Sequence, residues 1–217
     1  MQAKPRVALL VETATTYGRG ILAGVADYQR THATWSTYLD ERELCAAPPS
    51  WLLQRKWDGI ICRPTTPTLA RALKRKRIPT IDLNDLFEGL GLPRIQSDMR
   101  AIGRLAATHL YERGFRNFAY CGFAKEAWAA ERLAGFREQL SSFDCRCEVY
   151  ESVWRGDDAP EWDADQDHLV AWLRTLSLPV GVMACNDVRG QHVLNACSLA
   201  EMYVPEQAAV VGVDNDE

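Results

Sequence analysis

Short apolar runs alternate with segments of 3.6-residue period from one end of the chain to the other, the pattern of parallel strands joined by helical crossovers. Runs at 6–11, 36–40, 58–62, 79–83, 116–121, 147–150, 179–184 and 208–213 predict strands, and 20–30, 68–74, 99–113, 127–140, 165–176 and 186–200 predict helices. These are βα repeats, so the expected fold class is α/β. Arg113-Gly114-Phe115-Arg116 offers a break after a helix, with Gly114 a normal C-cap choice, and the expected lobes are 1–112 and 113–217.

Most of these strands end in residues suited to a functional loop: Glu12-Thr13, Arg63-Pro64, Asn84-Asp85, Gly122-Phe123, Asn186-Asp187 and Asp214-Asn215. Open parallel sheets bind ligands beyond the carboxyl ends of their strands, so the chemistry is expected there.

Composition narrows the picture. The chain has 217 residues, 47% hydrophobic and 25% charged, which excludes disorder and fibrous repeats. With 25 Lys+Arg against 29 Asp+Glu the net charge is −4, so there is no global basic field to grip a phosphate backbone. The basic cluster Arg71, Lys74-Arg75-Lys76-Arg77 closes a predicted helix, where cations complement the macrodipole. No run of about 18 apolar residues is present, and the apolar start after Pro5 breaks at Glu12, too early for a secretion signal; a cytoplasmic protein without membrane contact is expected. The seven cysteines, among them Cys45, read as reduced thiols, and Cys145-Arg146-Cys147 is too tight for a zinc knuckle. The acidic tract 155–163 reads as a solvated loop, without the ligand spacing of a calcium site.

An enzyme reading rests on Gly18-Arg19-Gly20-Ile21-Leu22-Ala23-Gly24, which follows the first strand about 20 residues before Asp40-Glu41 and so resembles a dinucleotide fingerprint. Its first glycine is displaced from the strand end by residues 12–17, Arg19 occupies the tight turn, and the third glycine comes one position late. Phosphate loops, nucleophile elbows and paired zinc histidines are missing, so no cofactor, no metal and no catalysis are expected. His109 is expected to pack within its lobe.

Taken together, the loops resemble the sugar-sensing region of the xylose operon regulator family, which has the lactose-repressor and type I periplasmic-binding-protein fold. The resemblance runs over essentially the whole chain. It is carried by Val7-Ala8-Leu9-Leu10-Val11-Glu12, Tyr17 to Tyr28 with Trp35, Asp58-Gly59-Ile60-Ile61-Cys62-Arg63, Ile78 to Leu83, Ser97-Asp98, Trp128 to Phe136, Asn186-Asp187 and Val210 to Asn215. Met99 departs from the asparagine common there. The resemblance implies two doubly wound parallel-sheet lobes and a pentose such as xylose bound between them, with Glu12, Thr13, Tyr17, Arg19, Trp128, Arg132, Asn186, Asp187 and Asp214 as ligand-binding residues. It further implies a homodimer, a second lobe incomplete at its C-terminal end, and operator DNA met only through a C-terminal helix-turn-helix domain that is missing here. A periplasmic sugar-binding protein is the alternative; a nicotinamide-dependent enzyme ranks below it.

The residues support that picture on physical grounds. Sugar hydroxyls donate and accept, so they favour carboxylates, amides and two-pronged guanidinium groups, while C–H faces favour an aromatic platform such as Tyr17 or Trp128. Each residue also has a purely structural reading: Asp214 capping a turn, Asn186 capping a helix, Arg132 pairing with Glu131 or Glu138.

Overall fold

The structure is a computed structural model and describes residues 4–32, 35–40, 47–63, 65–84, 86–87 and 89–216. Glu41, Cys45, Pro64 and Asp85, named above, lie outside the described residues. The chain divides into two compact units, Met1–Ser97 with Asp216–Glu217, and Asp98–Asn215. The division falls one helix earlier than the expected boundary at 112–113.

In the first unit, β1 (Arg6–Leu10), β2 (Ser36–Leu39), β3 (Gly59–Cys62) and β4 (Thr80–Asp82) form a parallel sheet in the order β2-β1-β3-β4. Helices α1 (Thr16–Thr31) and α2 (Pro67–Arg75) connect them, with a 3₁₀ turn at Ser50–Leu53 that the apolar pattern did not anticipate. Helix α1 begins at Thr16 and not at residue 20, because the extended Thr15 accepts the Gly18 N–H on its hydroxyl at 3.1 Å and caps the first turn. Ala8, Leu10, Ile60 and Cys62 turn inward against Leu52, Trp57, Leu69 and Leu73.

The second unit repeats the plan. β5 (Asn117–Ala124), β6 (Cys147–Val153), β7 (Val180–Ala184) and β8 (Ala208–Val211) pair in parallel in the order β6-β5-β7-β8, with α3 (Met99–Glu112), α4 (Ala127–Ser142), α5 (Trp162–Leu173) and α6 (Asp187–Leu199) around them. Helix α3 belongs to this unit because it lies against α4 at backbone distance: a Cβ on Gly103 would run into the Arg132 carbonyl, and one on Gly135 into the Arg100 carbonyl. Ala106, Ala107 and Leu110 are the buried face of α3, and His109 is on the other side, exposed and hydrogen-bonded to Arg113 at 3.0 Å. The expectation that His109 packs inside is therefore corrected: the small residues fill the close approach.

In both sheets the first strand is flanked by the second on one side and the third on the other, which puts a topological switch between β1 and β3 and between β5 and β7. Crevices at such switches open at the carboxyl ends of the strands. Leu10 is level with Cys62, so the loops after β1 and β3 start side by side, whereas β5 runs three residues beyond Cys121, which is level with Ala184 at the end of β7.

Candidate functional site

In the first unit the polar groups beyond β1 and β3 meet. Glu12 is fully buried; it takes the Arg63 guanidinium in an ion pair and the Thr15 hydroxyl at 3.3 Å, and its Oε2 has no hydrogen-bond partner among the described residues. Arg63 lies over the Tyr17 ring, 4.5 Å from its centroid. Gly18 makes this possible, since a Cβ there would strike the Glu12 carbonyl. The glycine that resembled a phosphate-binding turn thus serves a backbone contact within the unit.

Arg19 is placed differently. Its side chain, 53% exposed, folds back on its own loop, donating to the carbonyls of Thr13 at 3.3 Å and Ala14 at 2.8 Å and to the Thr16 hydroxyl at 2.9 Å, with Asp216 at 3.6 Å. It braces the loop that carries Glu12 and Thr13.

In the second unit, Arg132 projects from α4 and is 4% exposed. It donates to the Cys185 carbonyl at the end of β7 and to Asp214 Oδ1 at 3.2 Å, and lies 5.1 Å from the Trp128 ring centroid, while its Nε has no partner among the described residues. The pairing with Glu131 or Glu138 is not made; those carboxylates bind Arg100 and Arg104 of α3. Asp214 has φ 103°, a conformation that costs an L-residue about 1–3 kcal/mol. Asn186 caps α6, accepting the Arg189 N–H at 2.9 Å, and Asp187 opens that helix with its own N–H on the Val213 carbonyl at 2.9 Å. The Trp128 Nε1 donates to Glu126 at 2.9 Å.

Trp128, Arg132 and Asp214 are thus linked in the second unit, with Asn186 beside the Cys185 carbonyl that Arg132 holds; Glu12 and Tyr17 are linked through Arg63 in the first. Thr13 contributes a carbonyl to Arg19, and Asp187 lies at the head of α6 against Gly212.

Sequence reading missed an arginine that is as deeply buried as Glu12. Arg189 is 0% exposed; it pairs with Asp165, donates to the Ser152 hydroxyl at 2.9 Å, and lies 5.0 Å from the Phe123 ring centroid and 5.4 Å from that of Tyr150. The signal was present: Asp165, Leu169 and Leu173 share one helical stripe, as do Arg189, Val193 and Ala196, so an acid and a base each replace an apolar residue on a core-facing side. Burial works to raise the Asp165 carboxyl, but the Arg189 hydrogen bond and charge, with the Tyr150 and Ser152 hydroxyls, bring it below the ordinary carboxylate value. Burial and the Arg189 charge lower His192, and burial pushes the Cys121 and Cys185 thiols up to about 12. Trp154 was also missed; it stacks on Phe123 at 4.7 Å and meets Trp128 edge-on at 6.1 Å.

Among the described residues no group of His, Cys, Asp and Glu could hold a metal ion, and no helix is long and apolar enough to cross a membrane.

Comparison with known proteins places these features. The periplasmic binding protein-like domain matches residues 95–217, and the XylR N-terminal domain matches residues 6–90. The xylose operon regulatory protein of Haemophilus influenzae is 29% identical over 220 residues, 98% of this chain and 56% of that protein. Its counterpart from Escherichia coli K12 is 29% identical over 223 residues, 98% of this chain and 55% of that protein. The chain therefore spans little more than half the length of these relatives. A solved structure described as the xylose-binding transcription activator XylR superposes with a TM-score of 0.84 at 27% identity, covering 100% of this chain and 56% of the other. A regulator of the LacI family from Enterococcus faecium, solved with bound ribose, shares the fold with a TM-score of 0.72 at 19% identity, covering 98% of this chain and 78% of the other.

Proposed function

We propose, from the premise that this chain belongs to the periplasmic binding protein-like domain family, that it is the sugar-sensing region of a transcriptional regulator whose effector is a pentose such as xylose. The observation that carries the reading is the Arg132–Asp214 pair, set beside Trp128 at the carboxyl end of the second sheet. A guanidinium and a carboxylate that restrain each other beside an indole provide donors, acceptors and an apolar face in fixed geometry, which is what a pyranose ring requires. The Glu12–Arg63–Tyr17 group supplies the same three elements in the first unit.

In this proposal one sugar engages both groups, with Thr13, Arg19, Asn186 and Asp187 completing or bracing the contacts. A state in which both groups hold the sugar is then favoured over one in which only a single group does, by the difference in binding free energy. A tenfold shift needs only about 1.4 kcal/mol. DNA would be engaged by a part of the regulator outside these residues, as a homodimer in the cytoplasm, and the signal would be geometric. Among the described residues the charged groups at these strand ends are held in ion pairs, an arrangement suited to binding.

Calorimetric titration with D-xylose, L-arabinose, D-ribose and D-glucose tests this. Saturable binding of D-xylose ahead of the others is expected, and absence of binding for every pentose at millimolar concentration removes the proposal.

A further inference from the structure

The second sheet carries polar groups at its other end as well. Where β5, β6 and β7 begin, Arg116, Asn117, Arg146, Glu148, Thr175 and Ser177 surround a cavity of about 320 Å³, with three apolar side chains between them. The strand starts are level, Phe118 pairing with Cys147 and Asn117 with Val180, so the cavity is laid across three adjacent strands. β7 is five residues long, roughly 15 Å, and separates this cavity from Asn186.

The two guanidinium groups differ in how they are held. Arg116 rides on the Tyr111 ring, 3.9 Å from its centroid, with Nη1 fixed by the carbonyls of Tyr111 at 3.1 Å and Phe115 at 2.7 Å. That leaves its other edge pre-oriented for an anion. Arg146, exposed, makes no ion pair among the described residues, although Glu148 stands two positions along the same strand end. Thr175 donates its hydroxyl proton to the Trp172 carbonyl at 2.7 Å, so its oxygen is available to accept.

We propose that this cavity binds a phosphate monoester of a hydroxylated compound, a phosphorylated sugar by chemical class. Arg116 and Arg146 take the phosphate, for which paired guanidinium groups are suited, and Glu148, Thr175 and Ser177 take hydroxyls of the ester. Inorganic phosphate would satisfy the arginines but meet Glu148 with like charge, and a neutral sugar would leave both arginines without an anion. An ester engages both arginines together with Glu148, Thr175 and Ser177, while the Asn117 amide already donates to the Pro179 carbonyl at 3.2 Å. The volume lies at the lower end of the range for small-molecule sites, about 300–1,000 Å³, as a single sugar phosphate demands.

The test is calorimetric titration of the 217-residue chain with glucose 6-phosphate and ribose 5-phosphate, with glucose, ribose and inorganic phosphate as controls. Saturable binding of at least one ester is expected, with its sugar and inorganic phosphate roughly tenfold weaker or worse. Arg116→Gln and Arg146→Gln should each weaken the ester roughly tenfold, and Glu148→Gln should weaken the ester but not inorganic phosphate. All three side chains are at the surface, so circular dichroism melts of the variants should match the parent. Asp214→Asn, at the opposite end of the sheet, should leave ester affinity unchanged. The proposal is overturned if neither ester binds, if inorganic phosphate binds as tightly as the esters, if both arginine variants bind like the parent, or if Asp214→Asn abolishes ester binding.

Discussion

Arg132 is held by two partners of different kinds, and the distinction separates bracing from recognition. Its bond to the Cys185 carbonyl ties α4 to β7, whereas its bond to Asp214 holds a loop residue at positive φ. Arg132→Ala should therefore lose both sugar affinity and stability. The stability cost is about 1–3 kcal/mol, below that of a fully buried pair because the Asp214 side chain is 27% exposed. Asp214→Asn keeps the acceptor and the shape but removes the charge, so affinity should fall about tenfold with little change in the melt. Paired titrations and melts check this, and an Asp214→Asn protein that loses its melt but keeps its affinity takes the residue out of the site. Arg189 is the opposite case: fully enclosed, it is structural, and Asp165→Ala should cost about 3–5 kcal/mol in urea denaturation by leaving the guanidinium alone. Its neighbours also give stability a pH dependence of defined sign. His192 and Asp165 both have folded values below their unfolded ones, so each contributes stability that is complete above the unfolded value and is lost as pH falls through the folded one. Stability should decline first below about 6.5 through His192 and again below about 4 through Asp165. His192→Gln should flatten the first decline in urea midpoints between pH 7 and 5 and leave the second.

Among the elements, the α3–α4 contact governs where Trp128 and Arg132 stand. Alanine in place of glycine within a helix ordinarily stabilises by up to about 1 kcal/mol. At Gly103 and Gly135 the sign reverses, because each Cβ would meet the backbone of the facing helix, which cannot move aside as a side chain would. Gly103→Ala and Gly135→Ala should each destabilise by about 1–3 kcal/mol in urea denaturation. Gly20→Ala and Gly24→Ala on α1, where a Cβ has open space, should not. The same contact explains why α3 groups with the second unit: its ordinary C-cap at Arg113-Gly114 marks the end of an element but says nothing about which neighbour that element packs on.

For the whole molecule, the charge of −4 and the confinement of the basic cluster 74–77 to the end of α2 set an expectation about nucleic acid. Lys74 is already turned to the Leu90 carbonyl at 2.7 Å. Residues 1–217 alone should not retain operator-length duplex specifically in a gel-shift assay at physiological salt, with or without sugar. Specific, salt-resistant retention would overturn this and relocate the DNA contact into the chain itself.

The alternation of apolar runs and helical segments determined the strands and α-helices seen among the described residues and the α/β class, because these depend on local periodicity and on caps such as Asn186 that sit within a few residues of what they cap. Strand-end placement and the family resemblance likewise brought out Glu12, Tyr17, Trp128, Arg132 and Asp214 as polar or aromatic residues near the carboxyl ends. What each of them touches was decided only in three dimensions. Glu12 finds Arg63 across 51 residues because β1 and β3 are neighbours in the sheet, and Arg132 finds Asp214 across 82 because α4 lies over the end of β7. Nearer carboxylates, Glu131 and Glu138, were the better guess along the chain and were taken instead by α3. A charge pairs with whatever opposite charge the packed backbone leaves within reach in low dielectric, and that distance is a property of the sheet order and helix packing, not of separation along the chain.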